Sequence, residues 1–286
     1  MKTSEFTSPA GLSRFLAAHD AALTRLMPFP PSPVPTSFGT AVAYRGGASS
    51  GTPIVLVPGA GGSAITWYRL VARLGRDNPV IALDLVGEPG AARQTAPITT
   101  ARDVAVSLAE TLDALDVPRA HLVGMSYGGW TALRHEIDLP GRAASLTLLD
   151  PAGFGRVTTR FMLWLIAGGL ASFAPRALRH RLAGPLRNAT LRDDELMALL
   201  PLQMSFRRRL PAPDVFTDTE LSGVDVPTMF LLGEHSALYP AASAAARLTS
   251  VMPKARVEIV PGASHDVPTY APDEVADRIA TFLTSV

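Results

Sequence analysis

Short, nearly continuous runs of apolar residues alternate along the chain with longer stretches in which apolar positions recur at helical spacing. Such runs are typical of parallel strands covered on both faces, and the stretches between them are long enough for crossover helices. The predicted strands are 53–57, 79–84, 120–125, 145–150, 227–233 and 256–262. The predicted helices are 64–74, 100–115, 127–138, 241–251 and 272–283. This alternation predicts an α/β fold.

A long interval between Asp150 and Pro227 breaks the rhythm, and its apolar stretches are helical in character. We expect a helical cap at 152–225, inserted into a core that comprises 36–151 and 226–286. The cap contains ten arginines. They are interpreted as a solvated surface, or as including one or two that face an anionic substrate group.

The N-terminal region has apolar residues at roughly helical spacing, including Phe15 and Leu23, followed by the sequence PFPPSPVP at 28–35. We expect residues 1–35 to form a helix and an extended proline-rich tether. Charged residues interrupt any apolar centre of a signal peptide, so a cytoplasmic location is expected. The apolar run 161–170 is about half the ~20 residues of a membrane-spanning helix. It indicates a buried or lid helix without stable membrane insertion.

The composition of the chain limits which side chains could act in catalysis and which partners are expected. The chain has 286 residues, 47% of them hydrophobic, and 26 basic against 25 acidic residues give a net charge of +1. This charge gives no reason to expect nucleic acid or an anionic membrane surface as partner. The chain has no cysteine, and its histidines lack the H-E-x-x-H spacing, so neither a thiol nucleophile nor a metal site is expected. Serine, histidine and carboxylate side chains remain as candidate catalytic groups. The sequence does not indicate an oligomeric state.

A candidate nucleophile stands in the sequence Gly124-Met125-Ser126-Tyr127-Gly128, which follows a predicted strand and precedes a predicted helix. In this context the G-x-S-x-G pattern indicates a tight turn that exposes the serine hydroxyl above the sheet. Glycines are needed there because larger side chains would collide. The helix N-terminus beside Ser126 favours a developing negative charge. The Tyr127 side chain either lines a pocket or packs over the turn.

The chain resembles the α/β-hydrolase superfamily, in its serine-nucleophile branch of esterases and lipases, from about Thr36 to the C-terminus. The segments that carry the resemblance, in the order used by the superfamily, are VLVPGAGGSAITW, VIALDLVGEPG, LVGMSYGGW, SLTLLDPAG and VEIVPGASHDVPTYAPDEVADRIATFL. The resemblance implies a mostly parallel, eight-stranded sheet with helices on both faces and a cap after strand 6. It also implies hydrolysis of a carboxylic ester, lactone or related acyl compound, without a cofactor.

The same resemblance assigns roles to three further residues. His265, in the loop after the last strand, would be the general base. The backbone N–H groups of Ala60 and Tyr127 would bind the oxyanion, a contribution of about 3 kcal/mol for each donor. Many relatives have His-Gly at the start of the first loop, where this chain has Pro58-Gly59, but the backbone donors survive that exchange.

The acid that orients His265 is the open question, because Ser236 occupies the position where the family pattern has aspartate. A hydroxyl can orient an imidazole but cannot stabilise an imidazolium by charge. Asp150, in an L-D-P-A context at the end of the preceding strand, is one candidate for the acid. Glu234 is another, and an incomplete triad is the third possibility.

Two other classes of function remain as alternatives. The incomplete triad would fit a non-hydrolytic or impaired member of the fold, such as a lyase, cyclase or ligand binder. The sequence GAGGSA followed by Asp84 also resembles a dinucleotide-binding fingerprint of an oxidoreductase. For the hydrolase, a small and mainly apolar acyl substrate is expected. The candidate lining residues of the cap are Phe154, Phe161, Met162, Trp164, Leu165, Phe173, Met204 and Phe206.

Overall fold

The computed structural model describes residues 2–286, which contain eleven strands and eleven α-helices. The strands are β1 (Glu5–Phe6), β2 (Pro31–Thr36), β3 (Gly39–Gly47), β4 (Ile54–Val57), β5 (Pro79–Asp84), β6 (Arg93–Gln94), β7 (Ala120–Met125), β8 (Ala143–Leu149), β9 (Phe206–Arg207), β10 (Thr228–Gly233) and β11 (Arg256–Val260). The helices are α1 (Pro9–Leu26), α2 (Tyr68–Leu74), α3 (Ala101–Ala114), α4 (Tyr127–Asp138), α5 (Thr159–Ser172), α6 (Arg176–Ala183), α7 (Asp194–Leu199), α8 (Asp218–Ser222), α9 (Ala241–Val251), α10 (Val267–Tyr270) and α11 (Pro272–Leu283). Three 3₁₀ helices, Ala64–Trp67, Ala189–Arg192 and Leu200–Ser205, complete the described elements.

The central sheet has the strand order β11-β10-β8-β7-β4-β5-β3-β2, and the two-residue strand β6 pairs with β3 at the side. Neighbours from β11 to β5 run parallel, whereas β3 is antiparallel to both β5 and β2. The predicted α/β class and mostly parallel sheet are confirmed, with β6 as a ninth strand in addition to the expected eight. All six predicted strands belong to the parallel part.

Two apolar clusters cover the two faces of the sheet, as the alternation of side chains along a strand requires. In β4, Val55 and Val57 join the cluster that contains residues of α3, α4 and α9. Their neighbours Ile54 and Leu56 join the opposite cluster, which contains residues of α1, α2 and α11. The predicted layers of helices on both faces are therefore present, and every residue of β4 is buried.

The proline-rich segment differs from its expected role as a tether, because Pro31–Thr36 forms β2 at the edge of the sheet. The prolines occupy alternate positions, 31, 33 and 35. Their missing N–H groups therefore all face away from β3, while Ser32 and Val34 keep theirs for pairing. An edge strand tolerates proline on its free side, so the sheet begins before residue 36.

The segment between β8 and β10 contributes α5 to α8, two of the 3₁₀ helices and β9. Glu5–Phe6 pairs with Phe206–Arg207 in a small antiparallel sheet, and α1 packs against α7 and Leu200–Ser205. The N-terminal region thus contacts the inserted segment as well as the core. Among residues 2–286, none of the helices combines the length and apolarity required to cross a membrane.

Candidate active site

Ser126 lies in the tight turn between β7 and α4, with φ of 53° and ψ of −118°. A Cβ atom at Gly128 would collide with the carbonyl oxygen of Val57, and one at Gly124 would collide with the backbone of Gly128. These close approaches explain why glycine flanks the serine. The turn holds Ser126 in a conformation that L-residues rarely adopt, and α4 starts at the next residue.

The structure brings Ser126, His265 and Asp150 together. Ser126 Oγ lies 2.8 Å from Nε2 of His265, and Nδ1 of the same ring lies 2.6 Å from Oδ2 of Asp150. A carboxylate only accepts hydrogen bonds, so Nδ1 carries the proton and Nε2 is free to accept the serine hydroxyl. Ser126 is 9% exposed and Asp150 is fully buried.

Asp150 follows β8 and adopts a positive φ of 41°. Its Oδ1 accepts a hydrogen bond of 3.1 Å from the Gly233 N–H, and its Oδ2 accepts one of 2.7 Å from the Ser236 hydroxyl. Strands β8 and β10 are neighbours, so the residues at their carboxyl ends meet. Ser236, at the usual acid position, therefore hydrogen-bonds to the carboxylate that contacts His265.

Glu234, the other candidate acid, does not join this group. Its Oε2 accepts a 2.7 Å hydrogen bond from the Gly262 N–H, and its side chain is 49% exposed. Glu234 directly follows β10, and its side chain is directed to the surface rather than to His265. Of the two candidate acids, only Asp150 contacts His265.

The loop from Gly59 to Gly62 runs beside Ser126, and a Cβ atom at Gly59 would lie 3.3 Å from Ser126 Cβ. Within residues 2–286, neither the Ala60 N–H nor the Tyr127 N–H donates a hydrogen bond. Tyr127 is the first residue of α4, where helical N–H groups have no partner inside the helix. The Tyr127 ring itself is buried, and its hydroxyl donates to the carbonyl oxygen of Pro211.

A buried ion pair supports this loop, and sequence reasoning missed it. The Glu88 carboxylate accepts 2.9 Å and 2.8 Å hydrogen bonds from the Gly61 N–H and from Nε of Arg208, and the guanidinium lies 4.1 Å above the Tyr127 ring. Burial raises the pKa of Glu88, opposed by Arg208. Burial alone would lower the pKa of Arg208, but Glu88 and Tyr127 raise it. In the sequence, this pair is indicated only by Glu88 itself, an acid in the loop Gly87–Gly90 that follows β5.

Side chains of the inserted segment contact the His265 loop at two points. The rings of Phe161 and Trp164, on α5, approach the imidazole edge to face at 5.3 Å and 5.8 Å. The Asp266 carboxylate accepts hydrogen bonds from the backbone N–H and the hydroxyl of Thr190, and burial raises its pKa. The position of His265 therefore depends on the inserted segment as well as on the core.

A cavity of about 170 Å³ opens beside the Gly59–Gly62 loop. Its walls are mainly apolar, and they come from both the core and the inserted segment. Lining residues include Ala60, Ile65, Met125, Leu196, Leu199 and Gln203. The cavity reaches Gly59 and Met125, both of which adjoin Ser126, although the Ser126 side chain is not part of its lining.

None of the eight expected cap residues lines this cavity. Phe161 and Trp164 lie against His265, Phe154 packs in the core against Phe230, and Phe206 packs against Phe6. The others are exposed on the surface: Met162, Leu165, Phe173 and Met204. Composition identified apolar residues but not the direction in which each points.

The dinucleotide alternative fails at Asp84. Its carboxylate accepts hydrogen bonds from the N–H groups of Ala64 and Ala91 and from the Tyr44 hydroxyl, and it is buried. No ribose could reach it, so the geometry does not support an oxidoreductase. In the described chain, residues 2–286, no cluster of three or more histidines and carboxylates is arranged to hold a metal ion.

Comparison with known proteins adds independent findings. The model of the alpha/beta hydrolase family matches residues 54–278. Carboxylesterase YbfK of Bacillus subtilis is 27% identical, over 94% of this chain and 93% of its own length. The uncharacterized carboxylesterase nap of Bacillus subtilis is also 27% identical, over 88% and 86%. The crystal structure of naproxen esterase (carboxylesterase NP) from Bacillus subtilis has a TM-score of 0.80 at 24% identity, covering 95% of this chain and 97% of that chain.

Proposed function

Because the chain belongs to the alpha/beta hydrolase family, we propose that it hydrolyses a carboxylic ester or related acyl compound through an acyl-enzyme on Ser126. The observation that carries the proposal is the contact of Ser126 Oγ with His265 Nε2 at 2.8 Å, with Asp150 behind the ring at 2.6 Å. Two relatives that are named carboxylesterases are similar to this protein over most of the chain, and they support an ester as the class of substrate.

In the first half of the reaction, Nε2 of His265 takes the proton of the Ser126 hydroxyl while Oγ attacks the ester carbonyl carbon. The carbonyl oxygen becomes negatively charged, and the N–H groups of Ala60 and Tyr127 donate to it. The Asp150 carboxylate stabilises the imidazolium. His265 then returns the proton to the departing alkoxide, which leaves as an alcohol and leaves the acyl group on Ser126.

The second half repeats these steps with water. His265 removes a proton from the water molecule, the hydroxide attacks the acyl carbon, and the proton goes back to Ser126 Oγ as the carboxylic acid departs. The apolar cavity beside Ala60 fits a small, mainly apolar acyl or alcohol group. The segment 152–225 acts in this proposal as a cap that covers His265 through Phe161 and Trp164 and supplies one wall of the cavity.

The test combines labelling and kinetics on the parent and on Ser126→Ala. The parent should hydrolyse p-nitrophenyl butyrate and react once with a fluorophosphonate, with the added mass on the peptide that contains Ser126. Ser126→Ala should lose both the label and about 10⁵-fold or more of kcat, with an unchanged urea midpoint as the folding control. A parent that neither hydrolyses esters nor takes the label would favour the non-hydrolytic alternative.

A further inference from the structure

Exposed apolar side chains are concentrated on one short segment of the surface. Residues 2–286 expose fourteen large hydrophobic side chains, and eight of them lie between Val157 and Leu178. The eight are Val157, Met162, Leu163, Leu165, Ile166, Leu170, Phe173 and Leu178. Five of the eight lie on one helix, α5, and exposed apolar side chains grouped in this way mark an interaction site, whereas scattered single residues do not.

Helix α5 forms the centre of this patch, and it has no polar outer face. The residues from 161 to 175, FMLWLIAGGLASFAP, include no charged side chain. Phe161 and Trp164 point inward to His265, while Leu163 and Leu170 are 62% and 71% exposed on the other side. A helix that is apolar all round is normally buried. The outer face of α5 therefore lacks a partner that would cover it.

The chain segment that contains α5 carries charge of a single sign. Residues 151–192 contain seven arginines and neither aspartate nor glutamate. The remaining residues carry a net charge of −6, from 19 basic against 25 acidic, so the whole-chain charge of +1 conceals this concentration. Arg176 and Arg179 pair with Asp194. Five exposed arginines form no ion pair with another described residue: Arg156, Arg160, Arg181, Arg187 and Arg192.

We propose that α5 and the arginines around it dock this protein on an anionic lipid surface. An apolar helix face rimmed by arginines matches a bilayer interface with negatively charged headgroups, where each nearby arginine contributes about 1 kcal/mol. A second copy of the chain fits poorly, since a twofold contact would bring the two arginine clusters together. Docking is peripheral, because the 14-residue helix α5 is too short to span a bilayer.

Docking would bring the lipid surface close to the candidate active site. The inner face of α5 contacts the His265 ring and its outer face would contact lipid, so one helix diameter, about 10 Å, separates the interface from the imidazole. Lipid binding does not depend on the proposed ester hydrolysis. It is therefore measured on Ser126→Ala as well as on the parent, and a failure of either proposal is seen separately.

The experiment measures flotation of the full chain with vesicles of phosphatidylcholine alone and of phosphatidylcholine with phosphatidylglycerol, at low and high salt. The parent and Ser126→Ala should float with the phosphatidylglycerol vesicles and be released by salt. Arg156→Gln/Arg160→Gln should reduce the partition coefficient about 25-fold, which is about fivefold per arginine. Leu163→Ser/Leu170→Ser should reduce it about tenfold or more through lost apolar contact.

Control variants remove exposed charge and exposed apolar surface elsewhere on the protein. Arg14→Gln/Arg102→Gln changes two exposed arginines outside the patch, and Leu12→Ser changes an exposed leucine on α1. Both should bind within about threefold of the parent. No flotation of the parent with phosphatidylglycerol, or equal losses in patch and control variants, would overturn the proposal. A dimer in sedimentation velocity that Leu163→Ser/Leu170→Ser dissociates would overturn it in favour of a second copy.

Discussion

The Ser236 hydroxyl donates a 2.7 Å hydrogen bond to the Asp150 carboxylate, and the same oxygen, Oδ2, lies 2.6 Å from His265 Nδ1. In the proposed mechanism the two side chains divide a task that usually falls to one aspartate. Asp150, from the end of β8, would provide the negative charge, and Ser236, from the loop after β10, would provide a donor that fixes the carboxylate. The Gly233 N–H supplies another. The proposal that Asp150 is the acid thus accounts for a serine at position 236, where the family pattern has aspartate.

Asp150→Asn should lower kcat on p-nitrophenyl butyrate by about 10³- to 10⁴-fold with little change in KM. The amide cannot stabilise the imidazolium, and its N–H₂ group favours the wrong tautomer of His265. Ser236→Ala should cost less than about tenfold, because the carboxylate keeps its charge and its bond to Gly233. Steady-state kinetics on the purified variants measure both effects.

Glu234→Gln is the matched control for this prediction, since Glu234 is exposed and contacts Gly262. It should retain the parent rate. The double variant Asp150→Asn/Ser236→Asp should recover part of the loss, because a carboxylate at 236 would lie beside the amide that replaced Asp150. Full activity of Asp150→Asn, or a large loss in Glu234→Gln, would contradict the assignment of Asp150 as the acid.

Glu88→Gln should lower the free energy of unfolding by about 3 kcal/mol, because it leaves the largely buried Arg208 without its counter-charge. Glu88→Gln/Arg208→Met should lose less than the sum of the two single variants, since no unpaired charge remains. Urea denaturation monitored by circular dichroism gives these values. Glu195→Gln removes the partner of exposed Arg25 and should change stability by less than about 1 kcal/mol. Additive losses at 88 and 208 would show that the pair is not coupled.

Gly128→Ala should prevent stable folding or reduce the unfolding free energy by more than about 4 kcal/mol. A methyl group there would collide with the carbonyl oxygens of Val57 and Pro58, which belong to the backbone and cannot move aside. Gly169→Ala is the control, because a Cβ at this helical position meets no atom within 4 Å. It should stabilise the protein by about 0.5 to 1 kcal/mol. Thermal and urea unfolding compare the two, and a stable Gly128→Ala protein would refute the close approach.

Acidification should destabilise the fold through His135. Burial lowers the pKa of His135 to about 4, from 6.5 for the free side chain. Between these values the unfolded chain binds a proton that the folded chain does not, so stability falls as the pH decreases from 6.5 towards 4. The contribution is about 3 kcal/mol. The free energy of unfolding, measured by urea denaturation at several pH values in this range, should fall less with decreasing pH for His135→Phe than for the parent. This variant keeps an aromatic ring.

His235→Gln is the control for that pH series, because its side chain is 34% exposed whereas that of His135 is fully buried. Its pH dependence should match that of the parent. If the unfolding free energy of His135→Phe depended on pH as strongly as that of the parent, the assignment of this acid sensitivity to His135 would be contradicted.

Local patterns in the sequence were sufficient to predict the parallel strands and the turn at Ser126. Continuous apolar runs require burial on both faces, and a serine between glycines after such a run requires a tight turn. The proline-rich edge strand β2 was missed because its pairing depends on which side of the strand the prolines face. That side is fixed by the register with β3, which lies outside local sequence information.

The sequence by itself determined the fold class, Ser126 and His265 as candidates, and the short set of possible acids, because these follow from residue types and their neighbours along the chain. Only the tertiary structure decided which acid meets His265, that Glu88 and Arg208 pair across 120 positions, and which apolar cap residues line the cavity. Those relations join residues distant in sequence. They depend on the order of strands and the orientation of each side chain, which a one-dimensional pattern does not contain.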